Sequence, residues 1–425
     1  MTFVDHEARP PAPASGAGPT RAARAASRQS GRRHTFGFWA TTLAFVAAMA
    51  LIAVPTPLYP IYQQRDHFST ITLTVVYAVY AAGVIASLFL GGHLSDWLGR
   101  KRVLVPALLV NAASAVIFVA DPSLPGLFAA RIVSGVAIGL ATATVTAYLT
   151  ELHARRPSGA VSPHRPQLAV AAANLGGIAV GPLVAGLLAT FAPQPLRLPY
   201  LVLVAALLVL TALVAMSPET VTPPARRPRY RPQRIAVPRS ARPAFFAATA
   251  TSLAAFAVYG IFNSLAPSFL AVTLHQQSHA VAGAVAFAVF AAGAGITLAM
   301  SRAGLRATLG TAPLLLVPGL ALLVAGMWCA LLPLFIVGGV AAGAGAALAF
   351  RGGLTAAAAS APAESRAEVL SGFFLGTYVG LSVPAVLLGI VTEYVSARSA
   401  MAVFALLVAV AVVGCSRVLR SQQKR

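Results

Sequence analysis

The residues best suited to charge-based chemistry lie in one short stretch. The carboxylate in this stretch, that of Asp96, can be stabilised by a helix N-terminus or by an arginine. Gly92 would let two helices approach closely, and Gly99 would allow a turn with positive φ. We therefore predict a sharply turning, charged connection between two helices; the plainer alternative is a basic loop with turn glycines. The stretch reads Gly92-His-Leu94-Ser-Asp96-Trp-Leu-Gly99-Arg100-Lys101-Arg102.

Two further charged residues belong to a single apolar run, 123–151. An arginine in mid-membrane costs about 2.5–3.5 kcal/mol even on a lenient scale, so Arg131 should face protein or a water-filled cavity. The alternative is that Arg131 reaches the outer interface or binds backbone carbonyls. Glu151 ends the same run, and we predict that it pairs with Arg100 across the inner mouth.

Long apolar runs must position these residues. The chain is 58% apolar with a mean hydropathy of +0.79, and 10% of its residues are charged, against about 25% in soluble proteins. A soluble enzyme or a DNA-binding protein is therefore excluded, and lipid is the main solvent. Runs of about 20 residues, long enough to cross a bilayer, occur near 38–62, 72–94, 102–120, 123–151, 166–190, 199–216, 244–273, 279–300, 309–327, 330–350, 367–390 and 398–417.

The runs form two groups of six, which predicts an all-α membrane protein with twelve spans in two six-helix bundles. Residues 217–243 separate the groups and contain seven prolines and seven arginines, too polar for lipid and too proline-rich for one helix. The predicted domains are a disordered basic tail (1–37), the first bundle (38–216), a cytoplasmic linker (217–243), the second bundle (244–417) and a short C-terminal tail (418–425).

Basic residues set the orientation. If the N-terminus is cytoplasmic, 27 of the 31 Lys and Arg lie inside, and the outer loops hold only Arg65, Arg197 and Arg398. This bias follows the positive-inside rule and predicts that both termini are cytoplasmic. The net charge of +21 then reflects topology, so no nucleic-acid partner is expected. Abundant arginine and alanine indicate a GC-rich bacterial genome, hence the cytoplasmic membrane.

The fifth run carries Gly177, Gly181, Pro182 and Gly186. Proline removes a backbone hydrogen bond and bends a helix, while glycines allow tight helix contacts. The eleventh run repeats the pattern with Gly380, Pro384 and Gly389 at the same place in the second half. We therefore expect a bend-and-pack helix in each half and two related repeats.

The charged loop resembles the signature loop of the major facilitator superfamily, although Trp97 replaces the usual basic residue. Arg131, followed by Gly135 and Gly139, is similar to the superfamily's second motif. The fifth run resembles a third motif that is typical of its drug:proton antiporters, with Leu168 and Ala185 at two glycine positions. The resemblance implies two halves that rock about a central cavity, with the loop joining them on the cytoplasmic side in one conformation.

No acid and no histidine lies at the centre of a predicted span. If protons drive transport, the titrating group must lie at a membrane edge, with Asp96 or Glu151 as candidates. A neutral amphiphile, or an anion meeting Arg131, suits the cavity better than a cation. Six uncharged polar residues are candidates for the cavity, although helix–helix hydrogen bonding is the favoured reading of each: Thr56, Tyr80, Asn111, Tyr259, Asn263 and Tyr378.

The sequence predicts a monomeric secondary transporter that exports a small amphiphilic molecule by proton antiport. The alternatives are an importer, symporter or uniporter of a neutral or anionic metabolite, and a non-transporting scaffold or receptor. Neither a nucleotide-binding G-x-x-x-x-G-K-[ST] loop nor a metal or triad pattern is present in the sequence. We therefore expect no enzyme activity, no metal and no cofactor, with the proton gradient as energy source.

Overall fold

A computed structural model describes residues 21–155, 165–222, 237–362 and 366–422, and these residues contain helices and no strand. Twelve of the helices are long and apolar enough to cross a membrane, which confirms the predicted fold class. They are α1 (Arg21–Ala53), α2 (Thr70–Gly91), α3 (Arg100–Ala120), α4 (Leu124–Ala154), α5 (Arg165–Phe191), α6 (Leu198–Ala215), α7 (Arg242–Ser264), α8 (His279–Ala299), α9 (Leu305–Trp328), α10 (Leu332–Ser360), α11 (Arg366–Tyr394) and α12 (Ala397–Gln422).

Helix α1 begins earlier than the sequence predicts, and it ends where the sequence carries Pro55 and Pro57. It begins at Arg21, so the stretch 21–37 is helical where a disordered tail is predicted; residues 1–20 lie outside the described residues. At its other end α1 stops at Ala53, and a 3-10 turn, Thr56–Leu58, leads into a short helix, Tyr59–Asp66. The break has a local cause, because Pro55 and Pro57 cannot donate the backbone hydrogen bonds that would continue α1.

Small residues hold the helices of each half together. In the first half, Gly83 of α2 lies against Gly135 of α4, and a Cβ at Gly135 would overlap the Tyr80 carbonyl oxygen. In the second half, a Cβ at Gly343 of α10 would lie 2.7 Å from the carbonyl oxygen of Val289 in α8. Close backbone approach of this kind is how membrane helices gain packing energy in lipid.

The two halves meet along two helix pairs, α5 with α8 and α2 with α11. We call the side that carries the signature loop the inner side, after the orientation that the charge distribution predicts. At the outer side, the Thr56 hydroxyl donates to the Asn263 carbonyl at 2.9 Å, and the Ala280 backbone N–H donates to the Thr190 hydroxyl at 2.9 Å. Both bonds join the halves, so the outer side is closed.

Candidate transport pathway and switch loop

The signature loop is a short helix followed by a turn. Leu94–Leu98 forms one helical turn after α2, and α3 starts at Arg100. Gly99 between them has φ of 110°, which confirms the predicted positive φ. A Cβ at Gly99 would also lie 2.8 Å from Glu219 Oε2. Gly92 lies beside a cavity next to α11.

Arg100 is the centre of the loop's charge network. Its guanidinium donates to Glu151 at 2.8 Å, to Asp96 at 2.5 Å and to the Ser95 hydroxyl at 2.8 Å. Arg100 has a side-chain exposure of 10%, against 29% for Glu151 and 61% for Asp96. The predicted Arg100–Glu151 pair is therefore present in the structure, and Asp96 shares the same arginine.

Helix dipoles are neutralised reciprocally around the loop. The carboxylate of Glu219 accepts the backbone N–H groups of Arg100 at 2.9 Å and Lys101 at 3.0 Å, at the N-terminus of α3. Lys101 Nζ in turn donates to the carbonyls of Ala215 at 2.9 Å and Ser217 at 3.2 Å, at the C-terminus of α6 and just after it. Negative charge suits a helix N-terminus and positive charge its C-terminus, so both contacts stabilise the loop.

The start of the linker is held against the first half by the same network. The Thr220 hydroxyl donates to Glu151 at 2.5 Å, and the Tyr148 hydroxyl donates to the Pro218 carbonyl at 2.6 Å. Arg155 donates to the Thr220 carbonyl at 2.6 Å. Glu219 was not among the predicted site residues. One signal could have singled it out: Glu219 is the single acid in a linker with seven arginines. Nothing in the sequence, however, places it beside Gly99.

Arg131 is buried inside the first half, with 1% exposure. It donates to the Ile52 carbonyl at 2.7 Å and to the Tyr59 hydroxyl. Its guanidinium also lies 5.9 Å from the ring centroid of Tyr77 and 5.9 Å from that of Phe118. No carboxylate among the described residues pairs with it. The alternative that Arg131 binds backbone carbonyl groups is what the structure shows: it binds the Ile52 carbonyl left free where α1 breaks, and it lines neither of the two cavities described below.

The glycines of α5 serve two different interfaces. A Cβ at Gly177 would lie 2.5 Å from Met49 Cβ, and one at Gly181 would overlap the Ala50 carbonyl oxygen, both in α1. A Cβ at Gly186 would overlap the His279 carbonyl oxygen in α8, across the boundary between the halves. Pro182 lies inside the helix, and its carbonyl lies directly against Gly283 of α8. The packing role predicted for these residues is what the structure shows.

Helix α11 repeats this arrangement. A Cβ at Gly380 would overlap the Leu253 carbonyl oxygen in α7, the first helix of its own half. One at Gly389 would lie 2.6 Å from the Thr74 hydroxyl in α2, across the boundary. Pro384 again lies within the helix. The echo between the fifth and eleventh runs therefore reflects a shared geometry in the two halves.

Two cavities lie near the inner ends of the helices: one lies mainly between α1 and α5 of the first half, with Leu298 of α8 beside it, and the other lies between α2 and α11, across the boundary between the halves. The larger, about 520 Å³, we call the α1–α5 cavity; the smaller, about 250 Å³, we call the α2–α11 cavity. The α1–α5 cavity is lined by Phe38, Trp39, Thr42, Leu43, Val46, His153, Arg165, Leu168, Ala169, Ala172, Ala173 and Leu298. The α2–α11 cavity is lined by Ile85, Leu88, Phe89, Gly92, Ala143, Leu370, Ser371, Phe374, Leu375 and Tyr378.

Of the six polar candidates for the cavity, only Tyr378 lines one of these two. Three of the other candidates form hydrogen bonds between helices instead. Thr56 binds Asn263, Asn111 donates to the Ala48 carbonyl at 3.3 Å, and Tyr259 donates to the Gly343 carbonyl at 2.8 Å. Tyr80 is buried between α2 and its neighbours. For Thr56, Asn111 and Tyr259 the structure therefore shows the helix–helix hydrogen bond that the sequence favours over a cavity contact.

Residues that sequence reasoning missed supply most of the cavity walls. Arg165 and His153 are the ionisable groups lining the α1–α5 cavity, and neither cavity is lined by Asp or Glu. Both residues lie in the short break between the fourth and fifth apolar runs. Basic residues in such a break are explained by the positive-inside rule, so they give no separate signal of a binding site. Within the described part of the chain, no group of three His, Cys, Asp or Glu could hold a metal ion.

Comparison with known proteins agrees with this architecture. The family model of the Major Facilitator Superfamily matches residues 40–316. Because this covers well over half of the chain, the protein belongs to the major facilitator superfamily. The match includes the signature loop, Arg131 and the glycines of α5, and it runs through the linker into α9.

Curated relatives match over short stretches. Multidrug resistance protein 2 of Bacillus subtilis (strain 168) is 26% identical over 156 residues, which is 37% of this chain and 37% of the relative. The arabinose-proton symporter of the same organism is 32% identical over 77 residues, 18% of this chain and 16% of the relative. The chain thus spans well under half the length of each.

Solved structures match over nearly the whole chain. A mutant form of the nucleoside transporter NupG aligns with a TM-score of 0.67 and 14% identity, covering 91% of this chain and 99% of the other. A POT family transporter in complex with 5-aminolevulinic acid aligns with a TM-score of 0.70 and 11% identity, covering 90% and 95%. At these identities the likeness defines the shared fold and says nothing of cargo.

Proposed function

We propose that this transporter works by alternating access and exports a small amphiphilic molecule from the cytoplasm by proton antiport. The observation that carries the proposal is the asymmetry between its two sides. The halves are joined at the outer side through Thr56–Asn263 and Thr190–Ala280, whereas at the inner side the α2–α11 cavity lies between them and the α1–α5 cavity touches the second half at Leu298. A carrier in this state loads its cargo from the inner side.

The lining of the cavities supports an amphiphilic cargo. Aromatic and aliphatic side chains form most of both walls, with a few polar groups among them, as in sites for drug-sized ligands. The proline and glycines of α5 support export, since they match part of the motif that is typical of drug:proton antiporters. The likeness to a multidrug resistance protein points the same way.

Proton coupling is assigned to the inner edge of the membrane. The acids of the described residues lie at helix ends and in the linker, and two of them, Asp96 and Glu151, share Arg100. Protonation of either carboxylate would weaken its bond to Arg100 and so loosen the loop. The gradient is then the energy source, and no cofactor is needed.

The remaining assignments follow from topology. We place both termini in the cytoplasm and the protein in the cytoplasmic membrane of a bacterium, as a monomer in contact with lipid and a small-molecule cargo. Exposed apolar side chains such as Leu208, Val209, Leu406 and Leu407 suit a lipid-facing surface. No enzyme activity is proposed.

Flux in vesicles tests the proposal. In inverted membrane vesicles, an outward-directed carrier should accumulate a hydrophobic dye when an inside-acid pH gradient is imposed, and collapse of the gradient should release it. Asp96→Asn should lower this flux at least tenfold, with Asp121→Asn, at the outer end of α3, as the control. Accumulation only in right-side-out vesicles would overturn the export assignment.

A second candidate, an importer or symporter of a small metabolite, is favoured by one comparison. The chain is 32% identical to an arabinose-proton symporter over 77 residues, and its identity to the multidrug resistance protein is similar, at 26% over 156 residues. Flux with the gradient reversed separates the two functions. A non-transporting scaffold predicts no flux in either vesicle type and no effect of Asp96→Asn.

A further inference from the structure

The α1–α5 cavity has the size and the wall of a small-molecule site. Its volume of about 520 Å³ lies within the roughly 300–1,000 Å³ typical of such sites. Phe38 and Trp39 of α1 form one wall, and Leu298 of α8 brings in the other half of the molecule. Trp39 is 56% exposed, so neighbouring protein atoms leave more than half of it uncovered.

The charged group that lines this cavity is positive. Arg165, the first residue of α5, lines it, and none of its lining residues is acidic. His153, the other ionisable group in the wall, is buried and packs against Phe38 with ring centroids 6.0 Å apart. A cation would lose its hydration here without gaining a counter-charge, whereas a carboxylate, sulfonate or phosphate group could form paired hydrogen bonds with the guanidinium.

We propose that the α1–α5 cavity binds a lipophilic organic anion. Its aromatic or aliphatic body lies against Phe38 and Trp39, and its anionic group binds Arg165. This names the cargo class of the transport function proposed above and rests on that function. It also moves the charge-selecting residue from Arg131, which is enclosed by protein, to a residue at the inner mouth.

Trp39 provides a direct binding signal. The chain has three tryptophans, so Trp97→Phe with Trp328→Phe leaves Trp39 alone. Three anthracene probes of similar size, 9-anthracenecarboxylate, 9-anthracenemethanol and 9-(aminomethyl)anthracene, are titrated in zwitterionic nanodiscs, and energy transfer from Trp39 is followed. The anion should saturate the signal at a concentration about five- to tenfold below the alcohol, which corresponds to roughly 1–1.4 kcal/mol for one partly exposed charge contact.

Arg165→Gln should raise the Kd of the anion to that of the alcohol and leave the alcohol unchanged. Arg302→Gln, which removes an exposed arginine of the α8–α9 loop outside the cavity lining, is the matched control and should change neither. The inference is overturned if the amine binds as tightly as the anion, or if Arg165→Gln and Arg302→Gln behave alike.

Anionic lipid could supply the same chemistry, so phosphatidylglycerol is added to the nanodiscs in a separate titration. If it displaces the carboxylate probe through Arg165, the site is a lipid site and the cargo assignment fails. Counterflow of the carboxylate probe in liposomes separates the two proposals. Arg165-dependent binding without flux would reject the transport function alone, while flux without anion preference would reject this inference alone.

Discussion

At the scale of single residues, Arg100 shows how one side chain can serve several partners. It lies between Asp96, Glu151 and Ser95, and its own backbone N–H is bound by Glu219. The pairing with Glu151 was predictable, because both residues end apolar runs on the same side. The sharing of Arg100 with Asp96 and the contact with Glu219 could not be predicted. The first depends on the turn at Gly99, and the second depends on how the linker lies against the start of α3.

Charge reversal tests this network. Glu151→Arg or Arg100→Glu alone should lower the free energy of unfolding by about 1–3 kcal/mol, because a half-buried charged bond is broken. The double reversal should recover part of the loss, and adding Asp96→Asn should recover more by removing the repulsion between Asp96 and the new glutamate. The thermal unfolding midpoint in nanodiscs is the measurement, with Arg102→Glu as an exposed control. A double variant no better than either single one would contradict the network.

Arg131 gives a second prediction at this scale. Arg131→Lys keeps the charge but offers one donor nitrogen in place of the two guanidinium nitrogens that bind Ile52 and Tyr59, and Arg131→Met removes both. We expect the unfolding midpoint to fall in both, further for Met, with a loss of about 1–3 kcal/mol for Met. Binding of the anthracene probes should be unchanged, because Arg131 is 1% exposed. Lost binding with an unchanged midpoint would instead place Arg131 in the cavity.

At the scale of elements, helices α5 and α11 divide their small residues between two tasks. One glycine contacts the first helix of the same half, and another contacts a helix of the opposite half. The sequence reveals where such a helix is, since glycine and proline are local signals. It does not reveal which neighbour each glycine meets, because that depends on the rotation of the helix within the bundle.

The glycine at the boundary between halves should control the closed outer side. Gly186→Ala places a methyl group where the His279 carbonyl lies, and overpacking of this kind costs about 1–3 kcal/mol. Spin labels at exposed positions 194 and 277, on the outer ends of the two halves, should therefore report a longer mean distance in this variant. Gly176→Ala, next to Gly177 in the chain and with open space around its added methyl, is the matched control. Equal distances in the two variants would show that α5 and α8 are not tightly packed there.

At the scale of the whole molecule, the fold was readable almost in full. Twelve helices, their approximate ends and the division at the linker follow from apolar length, since a bilayer demands about 20 apolar residues per span. The N-terminal boundary was misjudged because arginine and alanine form helices well outside lipid. The cavity walls could not be predicted, because each is formed by residues of three or more helices that lie far apart in the sequence.

The central claim is that the two halves alternate between a state closed at the outer side and one closed at the inner side. With Cys329 and Cys415 replaced, spin labels are placed in one sample at the outer pair 194 and 277, and in another at the inner pair 155 and 302. Double electron–electron resonance in nanodiscs, at pH 5.5 and 8 and with and without 9-anthracenecarboxylate, should show two distances for each pair. We predict that conditions lengthening the outer distance shorten the inner one. A single unchanged distance for both pairs under every condition would contradict alternating access.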